Sequence, residues 1–169
     1  MFFLCSNKEP GREFSVIRSA EELKVGDHVS VPMKGMGMFQ HHAIVADVTD
    51  DNVTFCHANP DIEERKGDTE EKRFFSGFGS ATVGEQKYDL KEALEKGHVR
   101  RYKYEKNECR EPLDVVDRCR SKKGLFHYHL YDNNCEHLAR WCKTGIKISY
   151  QAEDEIAVKP SKEPIKGQN

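Results

Sequence analysis

Alternating apolar positions between residues 39 and 57 predict a β-hairpin. Residues 39–48 and 53–57 are rich in β-branched and aromatic side chains, as short strands are, and residues 49–52 between them are turn formers. Successive side chains of a strand point to opposite faces, so His41 and His57 each fall on an apolar face of their strand. We therefore expect the two imidazoles on the same side of the hairpin.

A second pattern, with a period of three to four residues, predicts a helix that begins at Cys135. Asn134 is a favoured N-cap residue and Gly145 a favoured stop. A helix N-terminus carries partial positive charge, which predicts a lowered pKa for the Cys135 thiol. The apolar stripe consists of Cys135, Leu138, Ala139 and Cys142.

Weaker patterns complete the expected domain, which spans residues 19–150. A tail is predicted over residues 1–18, and residues 151–169 are charged and lack aromatic side chains, which predicts a disordered tail. Further strands are expected at 28–31, 81–88 and 99–105, a helical turn after Ser19, and helices ending before Gly97 and Gly124.

Two loops carry apolar side chains in a glycine-rich context. Met33–Met38 contains three methionines, and Phe74–Gly79 contains three phenylalanines. Both segments suit the capture of an apolar substrate, since methionine adapts to irregular ligands. Ordinary loops that cover the core with the same side chains are the alternative.

Three blocks of sequence resemble the lecithin:retinol acyltransferase (LRAT) domain family. They are His41-His42-Ala43-Ile44, Phe55-Cys56-His57 and Asn134-Cys135-Glu136-His137. The resemblance covers roughly residues 19–148 and implies the permuted papain-like fold of the NlpC-type enzymes. That fold is α+β, with an antiparallel sheet that holds the histidines packed against the helix that bears the cysteine.

The resemblance also implies roles for five residues. Cys135 matches the family's nucleophile, His41 its general base and His57 the third member, which orients the base. Tyr128 stands where the family has a tyrosine that can support the oxyanion, and Asn134 precedes the nucleophile as a supporting residue. A neighbouring histidine is what a cysteine nucleophile needs to lose its proton.

Charge and composition limit the kinds of partner that the chain is expected to bind. The 27 Lys and Arg against 29 Asp and Glu give a net charge of −2, which does not favour nucleic-acid binding. No apolar run approaches the roughly 18 residues of a transmembrane helix, so we expect a cytoplasmic protein that contacts membranes peripherally. The cysteine and histidine spacings do not match a zinc site, and no metal or organic cofactor is expected.

The expected function is acyl transfer or phospholipase A hydrolysis on glycerophospholipid esters through a cysteine thioester. The substrate would thus be a phospholipid or another acyl lipid. The sequence leaves two alternatives open. One is a non-catalytic LRAT-like interaction module, and the other is an NlpC-type cysteine peptidase or amidase.

Overall fold

A seven-stranded antiparallel sheet and four helices form the described part of the chain. The structure is a computed structural model that describes residues 9–33, 39–50, 52–60, 78–129 and 131–158. The strands are β1 (Phe14–Ile17), β2 (His28–Pro32), β3 (Gln40–Val48), β4 (Val53–Pro60), β5 (Phe78–Tyr88), β6 (Val99–Tyr102) and β7 (Gly124–His129). The helices are α1 (Lys91–Glu95), α2 (Pro112–Ser121), α3 (Cys135–Thr144) and α4 (Tyr150–Val158).

The strand order is β1-β6-β2-β3-β4-β5-β7, and all pairs are antiparallel. This confirms the predicted α+β fold with an antiparallel sheet. The predicted hairpin is β3–β4, in which Ile44 lies opposite Cys56 and Val45 opposite Phe55. Within the described residues, this ladder ends at Ile44 and Cys56, while His57–Pro60 continue to pair with β5. The two strands therefore separate at the end that carries both histidines.

Two apolar cores lie on opposite faces of the sheet. Ile44 and Ala46 of β3 pack on the side of α2 and α3, together with the buried thiols of Cys56, Cys119 and Cys142. Ala43 and Val45 pack on the other side, where α1 and the turn after Ser19 supply Leu94 and Leu23. Successive residues of β3 therefore point into different cores, and both faces of the strand are buried.

The start of α3 is held by a capping box. The Asn134 side-chain oxygen accepts hydrogen bonds from the backbone N–H groups of Glu136 and His137, and Nδ1 of His137 accepts the Asn134 N–H at 3.0 Å. At the other end Gly145 is left-handed, with φ of +85°. These two caps explain why the helix spans the predicted residues.

Both predicted tails are partly structured. Phe14–Ile17, within the expected N-terminal tail, pairs with β6 as an edge strand. The expected disordered tail from residue 151 instead continues α4, in which Tyr150 and Ala152 are buried. None of the helices in the described ranges is long and apolar enough to cross a membrane. Residues 159–169, most of the methionine loop and most of the Phe74–Gly79 loop lie outside the described residues.

Candidate active site

The Cys135 sulfur lies against the main chain of β3. The backbone N–H of His42 donates to Sγ at 3.4 Å, and Sγ is 3.9 Å from the carbonyl oxygen of Gln40. The side chain of Cys135 is almost fully buried, at 2% exposure. The Tyr128 hydroxyl interacts with the same sulfur from β7.

The direction of the β3 backbone groups locates the sulfur in the sheet. The carbonyl oxygens of Phe39 and Val45 accept hydrogen bonds from the β2 side, from Met33 and Gly26. Backbone groups of successive residues point to opposite edges of a strand, and His42 lies an odd number of residues from both, so its N–H points toward β4. The sulfur therefore occupies the opening where β3 and β4 separate, and it takes the place of a missing strand partner.

The two predicted histidines form a hydrogen-bonded pair on the side of the sheet opposite α3. Nε2 of His41 lies 2.6 Å from Nδ1 of His57. Nε2 of His57 lies 3.1 Å from the Tyr88 hydroxyl. His41 is two residues before Ala43, which packs in the α1-side core, so its side chain points to that same face. In the part of the chain that the structure describes, Nδ1 of His41 has no hydrogen-bond partner.

The adjacent imidazole, that of His42, points to the α3 side and faces a partner at each ring nitrogen. Its Nδ1 lies 2.8 Å from Nε2 of His28, and its Nε2 lies 3.9 Å from a carboxylate oxygen of Glu136. Glu136 in turn accepts from Nε of Arg140 at 2.8 Å. Because both of its ring nitrogens face partners, His42 is poorly suited to accept a thiol proton.

Residues 21–148 match the sequence model of the lecithin retinol acyltransferase family. This match extends over most of the chain and includes β2–β7 with α1, α2 and α3. The chain belongs to the lecithin retinol acyltransferase family. No curated protein matches the chain. Membership in this family agrees with the papain-like fold and with an acyltransferase type of function.

The predicted residues of this LRAT-family chain fall into two groups. His41 and His57 are joined to each other, and Cys135 and Tyr128 are joined to each other. Both groups border β3, which contacts Sγ through the His42 N–H and carries the His41 ring. Asn134 is engaged at both ends of its amide, since Nδ2 donates to Ser149 at 3.0 Å, and it thus supports the helix start.

Burial sets the protonation states of the site. It raises the pKa of the Cys135 thiol to about 11, although the His42 N–H and Tyr128 favour the thiolate. This shift is opposite to the one expected from the helix N-terminus alone, because desolvation outweighs the helix dipole. Burial also lowers the pKa of His41 to about 4 and that of His57 to about 3. At neutral pH the site thus holds a neutral thiol and neutral imidazoles.

Two further side chains that contact the site, those of Gln151 and Tyr88, lie far from their partners in the sequence. The Gln151 amide in α4 binds both backbone groups of Gln40, with Oε1 3.2 Å from the Gln40 nitrogen and Nε2 3.3 Å from its oxygen. It thereby holds the carbonyl that faces Sγ. Tyr88 reaches His57 from β5. Sequence patterns do not reveal such pairs, because the contacts join positions 111 and 31 residues apart.

Metal ligation finds no support in this site. Among the described residues there is no group of three or more histidine, cysteine, aspartate or glutamate side chains that could hold a metal ion. Cys135 has main-chain and tyrosine neighbours, and His41 has an imidazole neighbour. These partners suit proton transfer and nucleophilic attack.

Proposed function

We propose that this chain is a cysteine-dependent acyltransferase or phospholipase A that acts on glycerophospholipid esters through a thioester on Cys135. The main support is the position of Cys135 at the first turn of α3, in the opening between β3 and β4, beside the strand that carries His41. His41 keeps one ring nitrogen bound to His57 and the other available. A nucleophile, a base and a group that orients the base are the parts that covalent acyl transfer requires.

The first half of the reaction forms the thioester. Nδ1 of His41 takes the thiol proton as Sγ of Cys135 attacks the ester carbonyl, so that a carbon–sulfur bond forms. Collapse of the tetrahedral intermediate breaks the ester carbon–oxygen bond, and His41 returns the proton to the departing lysophospholipid oxygen. The raised pKa of Cys135 makes this base essential, since little thiolate exists at neutral pH.

The second half reverses the roles. Water, an alcohol or an amine attacks the thioester while His41 accepts its proton, and the thiol then leaves with that proton. Tyr128 is suited to stabilise the oxyanion in both halves because its hydroxyl lies at the sulfur. Burial raises the Tyr128 pKa well above its usual value, which keeps the hydroxyl protonated as a donor.

The test is an intact-protein mass measurement after incubation with vesicles of a defined phosphatidylcholine. We expect an adduct with the mass of one acyl chain on wild type, release of lysophospholipid, and no adduct on Cys135→Ser. A matched incubation with an amide substrate separates the peptidase alternative. Amide cleavage without any acyl adduct from phospholipid would contradict the proposal.

One observation favours a second candidate, the non-catalytic interaction module. Cys135 is almost fully buried and the pKa of its thiol is raised to about 11, which is typical of an inert structural thiol. This candidate predicts a folded wild-type protein with neither adduct nor turnover on esters or amides. The same incubations therefore decide between the two candidates.

A further inference from the structure

A chain of hydrogen bonds leads from His41 to the surface of the protein. His41 Nε2 lies 2.6 Å from His57 Nδ1, and His57 Nε2 lies 3.1 Å from the Tyr88 hydroxyl. The hydroxyl lies 2.9 Å from the side-chain oxygen of Gln86, which also accepts from the Asn59 amide at 3.3 Å. All five side chains share one face of the sheet.

The register of β4 and β5 explains why these side chains meet. His57 lies opposite Gly84, and Phe55 lies opposite Gln86. Gln86 and Tyr88 follow Gly84 at intervals of two, so they share the face of His57. The absent side chain at Gly84 leaves space beside His57, and the Tyr88 ring packs diagonally against Phe55 with ring centroids 5.4 Å apart.

The outer end of the chain determines the direction of every hydrogen bond in it. An amide oxygen can only accept, so the Tyr88 proton points to Gln86. The Tyr88 oxygen must then accept from His57, which places a proton on His57 Nε2 and a lone pair on its Nδ1. His41 consequently donates from Nε2, and its own Nδ1 carries a lone pair.

The opposite direction would disable His41 as a base. If Tyr88 donated to His57, then His57 would carry its proton on Nδ1 and donate it to Nε2 of His41. The His41 proton would then sit on Nδ1, the nitrogen that must accept the proton of a thiol. One hydroxyl proton on β5 thus decides the tautomer of two imidazoles.

We propose that Tyr88, directed by Gln86, is a positioning residue that holds His57 and His41 in the tautomers in which His41 Nδ1 is a base. The inference rests on the proposed function for its catalytic meaning, although the tautomers themselves exist without substrate. Tyr88 acts through His57 and need not touch the reacting atoms.

The direct test is nitrogen NMR of the free protein with ¹⁵N-labelled histidine. We expect His41 Nδ1 to resonate as an unprotonated, pyridine-type nitrogen in wild type. Tyr88→Phe keeps the ring that packs on Phe55 but removes the hydroxyl, so both His41 tautomers should become populated. A protonated His41 Nδ1 in wild type, or tautomers unchanged by Tyr88→Phe, would overturn the proposal.

Substitutions of exposed Gln86 test the acceptor oxygen itself, since they alter no histidine side chain and no core residue. Gln86→Glu still offers an acceptor oxygen and should preserve the wild-type tautomer, whereas Gln86→Met removes it and should mix the tautomers. Tyr102→Phe removes a hydroxyl that bonds Ser30 at 2.9 Å, outside this chain, and should leave the His41 signals unchanged. A loss of tautomer bias in Gln86→Glu would contradict the role assigned to the amide oxygen.

Acylation kinetics then separate this inference from the proposed function. In Tyr88→Phe we expect kcat to fall several-fold with KM unchanged, and Tyr102→Phe, which lies outside this chain, to keep the wild-type kcat. If wild type forms no acyl adduct, the proposed function fails while the NMR result still decides the tautomers. If wild type forms the adduct and Tyr88→Phe changes neither kcat nor the tautomer, the inference alone fails.

Discussion

His41 and His42 are neighbours in the sequence, yet they belong to two separate hydrogen-bonded chains on opposite sides of β3. The chains have the same composition, since each joins an imidazole to a second imidazole and then to a tyrosine hydroxyl. They are His41–His57–Tyr88 on the α1 side and His42–His28–Tyr104 on the α3 side.

The difference lies at the inner end of each chain. His42 ends against the buried carboxylate of Glu136, which is itself paired with Arg140. His41 ends at a ring nitrogen with no partner among the described residues. A ring nitrogen that already faces a buried carboxylate is less accessible to a thiol proton than one without a partner, which favours His41 over His42 as the base. The comparison shows that the surroundings of the inner ring nitrogen, rather than the type of side chain, distinguish the two histidines.

The largest expected effect comes from replacing the sulfur of Cys135, the atom whose proton His41 is proposed to accept. Cys135→Ser keeps nearly the same volume and the helix cap, so stability should change little, but a hydroxyl is far less ionised than a thiol. Acyl-enzyme formation should therefore fall below detection by intact-protein mass measurement. Thermal unfolding is the control for folding. Adduct formation by Cys135→Ser at the wild-type rate would rule out the thioester mechanism.

The next effect separates the two chains by activity. His41→Gln can still hydrogen-bond His57 but cannot carry the proton, so turnover should fall by roughly 10²–10⁴-fold. His57→Gln can still orient the imidazole and should lose less. His42→Gln keeps the main-chain N–H that donates to Sγ and should lose least per folded molecule. Phospholipid turnover measured on all three variants checks this order, and a greater loss in His42→Gln than in His41→Gln would reverse the assignment of the base.

A smaller effect separates the two chains by stability. His42→Ala leaves a cavity and an unpaired His28 ring nitrogen in the interior, which should lower the free energy of unfolding by about 2–4 kcal/mol. The His41 side chain is less completely buried than that of His42, so His41→Ala should cost only about 1 kcal/mol. Urea unfolding of both variants measures the difference. Equal losses would mean that the two chains share the structural task.

The smallest expected difference between the two chains concerns acid, because each histidine should lose about the same 2 kcal/mol. Burial lowers the pKa of His42 to about 3 and that of His41 to about 4, below the value of about 6.5 in an unfolded chain. The unfolded state therefore binds more protons below pH 6.5, and each histidine's contribution to stability is complete above that pH. By pH 5 each contribution should have fallen by about 2 kcal/mol.

Unfolding free energies at pH 7.5 and pH 5 measure this loss. Substitution of either histidine by Gln should reduce the difference between the two pH values by about 2 kcal/mol. The expectation is equal for the two positions, because burial is the property that the two chains share. A difference that neither substitution changes would show that other groups govern the acid sensitivity.

Periodicity predicted the strands and helices whose apolar side chains recur at regular intervals. The β3–β4 hairpin and the start of α3 at Cys135 followed from alternation and from a cap, which are local signals. β1 escaped prediction because it is an edge strand in which only Ile17 is fully buried. The helix after residue 149 escaped because its anchors, Glu136 and Gln40, lie elsewhere in the sequence.

The resemblance supplied the residues of the candidate site, whereas the geometry of the site comes from the structure. The resemblance named Cys135, His41, His57 and Tyr128, and the pattern placed both histidines on one face. It did not reveal that the main-chain N–H of His42 contacts the Cys135 sulfur, since that contact depends on where β3 and β4 separate. The pKa of the thiol was predicted in the wrong direction because burial by distant segments leaves no local signal.

The carboxylate of Glu136 depends on residues that follow the segment matched by the family model, so the intact folding unit extends beyond that segment. Its oxygens accept the backbone N–H groups of Tyr150 and Gln151, each at 3.2 Å, and the Ser149 hydroxyl at 2.8 Å. A chain cut after residue 148 would keep the whole family match yet leave this acid, adjacent to the nucleophile, buried without three of its donors. An expression boundary for this protein therefore belongs beyond α4, at residue 158 or later.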